Sequence, residues 1–186
     1  MLTKYGVMFN LAYVGTMQSN NRFNLGQKFV TPNGTNSMYM VMPLEHPAGA
    51  TSISLATSSN LTGIHLGSGT ATPTENDTQL GNFIESGLSG TCTLGTVYMD
   101  DSDHIVTPLV VGVTNTTDSP ITISEIGLTK QVKGPTSATS TSTNNTQSVL
   151  VSHDLLPEPI TLPPSGSATI VYKFRSKIPI PLASSS

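Results

Sequence analysis

Leu109-Val110-Val111-Gly112-Val113 leads through Asn115-Thr116-Thr117-Asp118-Ser119-Pro120 into Ile121-Thr122-Ile123-Ser124-Glu125-Ile126-Gly127-Leu128. β-Branched residues dominate both arms, and the Asn/Asp/Ser/Pro cluster between them has turn chemistry. The second arm alternates apolar and polar residues, which puts Ile121, Ile123 and Glu125 on one face of a strand. The stretch predicts a hairpin over residues 105–129, and with it an antiparallel, all-β fold.

The flanking sequence repeats this grammar. Ile53 and Leu55, Ile64-His65-Leu66, Val97-Tyr98-Met99, Val149-Leu150-Val151 and Ile170-Val171-Tyr172 read as further strands, separated by Gly, Asn, Ser and Pro. Pro157 to Gly166 reads as an edge strand ending in a tight turn, because each proline removes a ladder donor. Asp77 to Leu88 is the one helix candidate, and Gly81 and Gly87 keep it short. The pattern predicts about eight short strands at the spacing of an antiparallel β-sandwich, jelly-roll or Ig-like.

Three regions stand apart. Residues 1–50 hold Met1, Met8, Met17, Met38, Met40 and Met42 among many amides, with short strand patterns at Phe29-Val30 and Met38 to Met42. Two readings stay open for them: a hairpin completing the domain's own core, or an arm docking on a neighbouring subunit. The sandwich domain is expected over 51–177, with residues 134–147 as a low-complexity loop inside it. Residues 178–186 form a Pro-rich tail that cannot enter a central ladder.

Composition narrows the function. Of 186 residues, charged ones make up 10% and aromatics 5%, with no Trp, so the core must be thin and spread out. Net charge is −3, and Lys4, Arg22, Lys28, Lys130, Lys133, Lys173, Arg175 and Lys177 are scattered. Without a basic stripe, no direct contact with nucleic acid is expected. No run approaches a membrane span, and the start lacks the features of a signal peptide, so a soluble protein made in a cytoplasm is expected. Cys92 stands alone and reads as a small buried apolar residue.

Chemical motifs are sparse. Gly67-Ser68-Gly69-Thr70 lacks the third glycine of a dinucleotide fingerprint and the lysine of a P-loop, so it reads as a turn. Pro73 follows it, and Asp77 is placed as the cap of the short helix. Asp100, Asp101, Asp103 and His104 lack the spacing of an EF-hand and read as a solvated turn. His46, His65, His104 and His153 make no zinc pattern, and no nucleophile elbow is present. Sequons at Asn33, Asn60, Asn76, Asn115 and Asn144 are expected in any chain so rich in Asn and Thr. The residues therefore predict no enzyme, no catalytic residue, no metal and no cofactor.

Three segments, taken in order, carry a resemblance. Ile64 to Leu80, with Gly67, Gly69, Thr70, Pro73, Thr74 and Asp77, resembles a "G-x-G-T…P-T…D-x-x-L" phrase of minor structural proteins of tailed bacteriophages. Thr114-Asn115 through Glu125-Ile126-Gly127-Leu128 resembles the hairpin that follows it in them. Val149 to Leu156, then Pro159 to Gly166, resembles their closing pair of strands. His153 stands near the place of a usual Arg, and Pro163-Pro164-Ser165-Gly166 replaces a simpler Pro-Gly turn. The resemblance spans residues 60–175 and implies a β-sandwich of a virion, assembled in the bacterial cytoplasm with other virion proteins and copies of itself. Glu125 is expected to accept hydrogen bonds from a neighbouring loop's backbone, with Gly127 permitting close approach. The alternative is a carbohydrate- or receptor-binding module, in which weak glycan contact replaces assembly.

Overall fold

The two arms of the 109–128 stretch are strands, but they do not pair with each other. The computed structural model describes residues 29–30, 37–38, 42–43, 52–58, 62–100, 104–134 and 145–177. These form β1 (Phe29–Val30), β2 (Ser37–Met38), β3 (Met42–Pro43), β4 (Ser52–Ser54), β5 (Gly63–Gly67) and β6 (Leu88–Leu94). β7 (Tyr98–Met99), β8 (His104–Asn115), β9 (Ile121–Gly134), β10 (Asn145–Leu162) and β11 (Ser167–Lys177) complete them. The described residues contain no helix, so none that is long and apolar enough to cross a membrane.

One sheet is built on β9. β10 lies along one edge of it, and β5 and β3 follow each other along the opposite edge, all antiparallel. The other sheet is built on β8, flanked by β11 on one side and by β6 and β7 on the other, with β4 beyond β6. β1 and β2 form a separate antiparallel pair.

Asn115 ends β8 in one sheet and Ile121 opens β9 in the other, so residues 116–120 cross between sheets. The expected hairpin over 105–129 is thus a crossing instead. Turn chemistry reverses the chain without specifying which strand receives it. Two strands with an apolar face gain more by facing each other across a core than by lying side by side. The same holds at 163–166, where β10 passes to β11.

The two sheets supply one hydrophobic core. Ile64, Leu66, Ile123, Ile126, Leu128, Val149, Val151 and Leu162 come from the β9 sheet. Cys92, Leu109, Val111, Val113, Ile170 and Tyr172 come from the β8 sheet. Cys92 is a free, buried thiol packed as an apolar residue.

Other expectations need correction. Four strands are long, with β10 running 18 residues, so the strands are not uniformly short. Residues 77–88 form turns and bends with the start of β6, not a helix; Gly81, Gly87 and the grip of other groups on Asp77 defeat the short helical pattern. Glu125 does not share a face with Ile121 and Ile123, because core contacts shift from Ile123 to Ile126, three positions on. β10 irregularity accompanies this shift: residues 156–159 stand opposite Ser124 alone. Inside the expected 134–147 loop, Gly134 pairs with Asn145, so the strands advance into both of its ends. The arm reading of most of residues 1–50, residues 135–144 and the tail 178–186 lie outside the described residues.

Candidate functional site

The outward face of the β9 sheet is covered by the chain between β5 and β6. Glu125, Gly127 and Thr129 point to this side, and His65 of β5 and His153 of β10 both pair with Gly127 in one cross-strand row. The whole of Ile123–Thr129 is buried as a result. Gly127 is needed for the cover to close, because a Cβ there would meet Leu80 Cδ2 and Leu150 Cδ1 at 2.9 Å.

Glu125 is the anchor. Its Oε1 accepts the backbone N–H groups of Gly69 at 2.8 Å and Asn82 at 2.7 Å. Its Oε2 accepts the N–H of Gly81 at 3.0 Å and faces His153 Nε2 at 2.9 Å. Each oxygen thereby uses both of its acceptor positions, the full capacity of a carboxylate. Gly67 and Gly69 permit the approach, since a Cβ at either would collide with the carboxylate. Ser124 adds a hydrogen bond from Oγ to the carbonyl of Gly69 at 2.8 Å.

His153 extends the chain outward. Its Nδ1 lies 2.7 Å from Asp77 Oδ2, and Asp77 in turn holds Thr74. The Thr74 N–H donates to Oδ2 at 2.8 Å and the Thr74 hydroxyl to Oδ1 at 2.6 Å. Asp77 is a turn clamp, not a helix cap.

Electrostatics follow from this arrangement. Burial alone would push the Glu125 carboxyl up, yet His153 and the three backbone donors outweigh it and hold its pKa at about 2. Burial likewise opposes charge on His153, but the bonds and charges of Glu125 and Asp77 prevail, and its proton affinity is raised. Asp77 is lowered against its own burial by the Thr74 and His153 bonds. While His153 carries both ring protons, the cluster is a cation held between two anions.

Chemically, this arrangement positions the imidazole between two acceptors. Both imidazole nitrogens face carboxylates, so neither has a lone pair turned toward a substrate, as a general base needs. Among the described residues, no group of three or more His, Cys, Asp or Glu is set to hold a metal ion.

The structure brings together Gly67, Gly69, Asp77, Glu125 and Gly127 of the residues singled out by sequence. Pro73 lies half-buried in the covering loop. Gly166 is elsewhere: its N–H donates to Pro163 and its carbonyl accepts the Asn115 N–H, in the turn between β10 and β11. Sequence reasoning missed His153 as the centre of the cluster. No local signal marks it, because Asp77, Glu125 and His153 are far apart along the chain and meet through strand register. Of the acidic stretch, Asp100 pairs with Arg175 Nε at 2.6 Å, and residues 101–103 lie outside the described residues.

Comparisons with known proteins add no relative: no family model, curated protein or solved structure matches the chain.

Proposed function

We propose that this protein is a structural component of a tailed-bacteriophage particle, a non-enzymatic β-sandwich of the jelly-roll or Ig-like kind. What supports this reading is the meeting of its three resembling segments. Gly67, Gly69 and Asp77 come from the first, Glu125 and Gly127 from the second and His153 from the third, and they form one cluster with Glu125 and His153 buried at its centre. Residues quoted for a likeness in sequence are thus mutually dependent in space. In this reading His153 supplies the cation that the likeness expects from Arg.

Assembly has a ready surface in the reading. β11 pairs with β8 over eleven residues without a register shift and contains no proline or glycine. Among the described residues its other edge has no strand beside it. β10, the corresponding edge of the other sheet, is guarded by two register shifts and by Pro157 and Pro159. An arm from the residues before β1 or from residues 178–186 of another copy, or from another virion protein, adds to β11 as a further strand. The protein then resides in the virion, on the head, neck or tail.

One observation favours a second reading. The outer face of the β8 sheet carries a shallow depression of about 510 Å³ lined by Ser89, Thr91, Gly112, Thr114, Ser167 and Thr169. A hydroxyl-lined hollow suits the polar edges of a sugar, although it lacks the aromatic platform that glycan sites commonly present.

Quantitative mass spectrometry of purified particles from the source, with copies counted against the major capsid protein, tests the first reading. Hundreds of copies place the chain on the capsid lattice, and a small symmetric number places it in a neck, tail or fibre. Absence from particles overturns the virion reading and moves the binding module to first place.

A further inference from the structure

We propose that Glu125, His153 and Asp77 form a pH-operated clasp that lets go of the 70–79 turn in a fixed order, Asp77 first and Glu125 last. The inference stands apart from the virion reading, since it concerns only the isolated chain.

Geometry carries it. Both nitrogens of His153 face carboxylate oxygens, at 2.7 Å and 2.9 Å. Ionised carboxylates only accept, so both contacts are hydrogen bonds only while both nitrogens carry protons. A neutral imidazole has one N–H and must leave one carboxylate facing a lone pair.

The two carboxylates are not equal competitors for it. The Glu125 side chain is 1% exposed and cannot be hydrated in place, whereas that of Asp77 is 23% exposed and can turn to water. Glu125 is also fixed by three backbone donors from Gly69, Gly81 and Asn82. The remaining proton therefore stays on Nε2, and the Asp77 contact becomes repulsive. Asp77 also accepts the Thr74 N–H and hydroxyl and donates its own N–H to the Thr74 carbonyl at 3.2 Å, so a carboxylate that turns to water draws away from Thr74 and loosens the turn with it. Gly69, Gly81 and Asn82 remain held at its base.

Other charged groups near His153 do not replace either partner. His65 lies in the same cross-strand row but bonds Thr129 Oγ1 at 3.1 Å and packs its ring on Phe83. Asp154, next in sequence, accepts from Tyr172. Glu75 and Glu85 of the covering loop are exposed, and Lys130 lies toward Cys92 of the opposite sheet.

The direction follows from linkage. His153 binds its proton more tightly in the closed form than in the open one. The clasp is fully closed below the ordinary histidine pKa of about 6.5, and it weakens as pH rises toward the raised value of the closed form. Across that window the opening constant grows by up to about tenfold per pH unit.

Hydrogen exchange with mass spectrometry on the full chain, corrected for the intrinsic pH dependence of exchange, tests this between about pH 6 and pH 9. Protection of amides in 70–79 is expected to fall about tenfold or more across the range, while the amides of Gly81, Asn82 and β5 keep theirs. His153→Gln, neutral throughout, is expected to abolish the pH dependence. If that variant does not fold, ¹⁵N shifts of the His153 ring in the native chain decide instead. They should report a doubly protonated ring at low pH and an Nε2–H tautomer at high pH. Protection of 70–79 that is flat with pH, or a neutral ring protonated on Nδ1, overturns the clasp.

Discussion

Asn115 Nδ2 lies 3.0 Å from the carbonyl oxygen of Leu162, so the last residue of β8 is bonded to the last residue of β10 in the opposite sheet. The same amide also donates to Ser119 at 2.8 Å and Pro163 at 3.2 Å, while Oδ1 accepts from the N–H and hydroxyl of Thr117. One fully buried side chain therefore ties both inter-sheet crossings together.

Replacing it tests that role. Asn115→Ala removes the donor shared by the carbonyls of Ser119, Leu162 and Pro163, of which the Leu162 bond is buried, and is expected to cost about 2 kcal/mol, read as a fall in Tm of about 4–8 °C. The sequon at Asn115 is also expected to stay unmodified in a folded chain, because its amide is enclosed; mass spectrometry after eukaryotic expression checks this.

Glu125→Gln keeps the size but removes the anion beside His153 and turns an N–H₂ toward a backbone donor. Breaking one member of a buried charged pair predicts a loss of about 3 kcal/mol or more in urea unfolding. Glu125→Ala should lose at least as much, since the N–H groups of Gly69, Gly81 and Asn82 are then left without their acceptor. Equal stability of Glu125→Gln and the native chain would show that the anchor is dispensable.

Acid should act through the same group. The Glu125 pKa falls from an ordinary value of 4.5 to about 2 on folding. Its contribution is therefore complete above pH 4.5 and is lost as pH falls toward 2, with a total of about 3 kcal/mol. Asp77, also lowered, acts in the same direction. Thermal melts between about pH 5 and pH 2 should show the loss, and the Glu125→Gln melts should follow a flatter line.

Gly127→Ala places a methyl group against Leu80, Leu150 and the Ser152 carbonyl, the last at 3.0 Å. Overpacking of this kind predicts about 1–3 kcal/mol of destabilisation. Leu80→Ala in the same chain removes one of the obstructing atoms, so a double-mutant cycle should show a favourable coupling between the two substitutions.

Tyr172 joins the sheets at their edge, donating from its hydroxyl to Asp154 at 2.6 Å. Burial first, and then Asp154, raise its pKa well above the ordinary phenol. Tyr172→Phe keeps the edge-on contact with Phe174 and should cost about 1–2 kcal/mol. In the native chain, ultraviolet titration should leave Tyr172 protonated at a pH where an ordinary phenol, of pKa about 10, is already ionised.

Legibility in the sequence divided along physical lines. Strand positions around Val111 could be read because burial on one face imposes period two, and those around Ile64 and Ile123 because short β-branched runs bounded by turn residues read as strands. Pairing could not, because Asn115 to Pro120 shows only that the chain turns, and the sheet that receives Ile121 depends on the whole core. The acceptor role of Glu125 was readable from a carboxylate within an apolar strand beside Gly127. Its link to His153 and Asp77 was not, since the three lie far apart along the chain and meet only through strand register. The false helix at 77–88 arose where Asp77 had the right chemistry for a cap but its partners were Thr74 and His153.

The pairing of Gly134 with Asn145 has an engineering consequence. The chain leaves β9 and re-enters β10 within one sheet, far along the strands from the crossings pinned by Asn115. Lengthening a connection costs only about 0.6 kcal/mol per doubling in closure entropy. Foreign peptide spliced between these two residues would be displayed at the end of the molecule that no inter-sheet staple at Asn115 depends on.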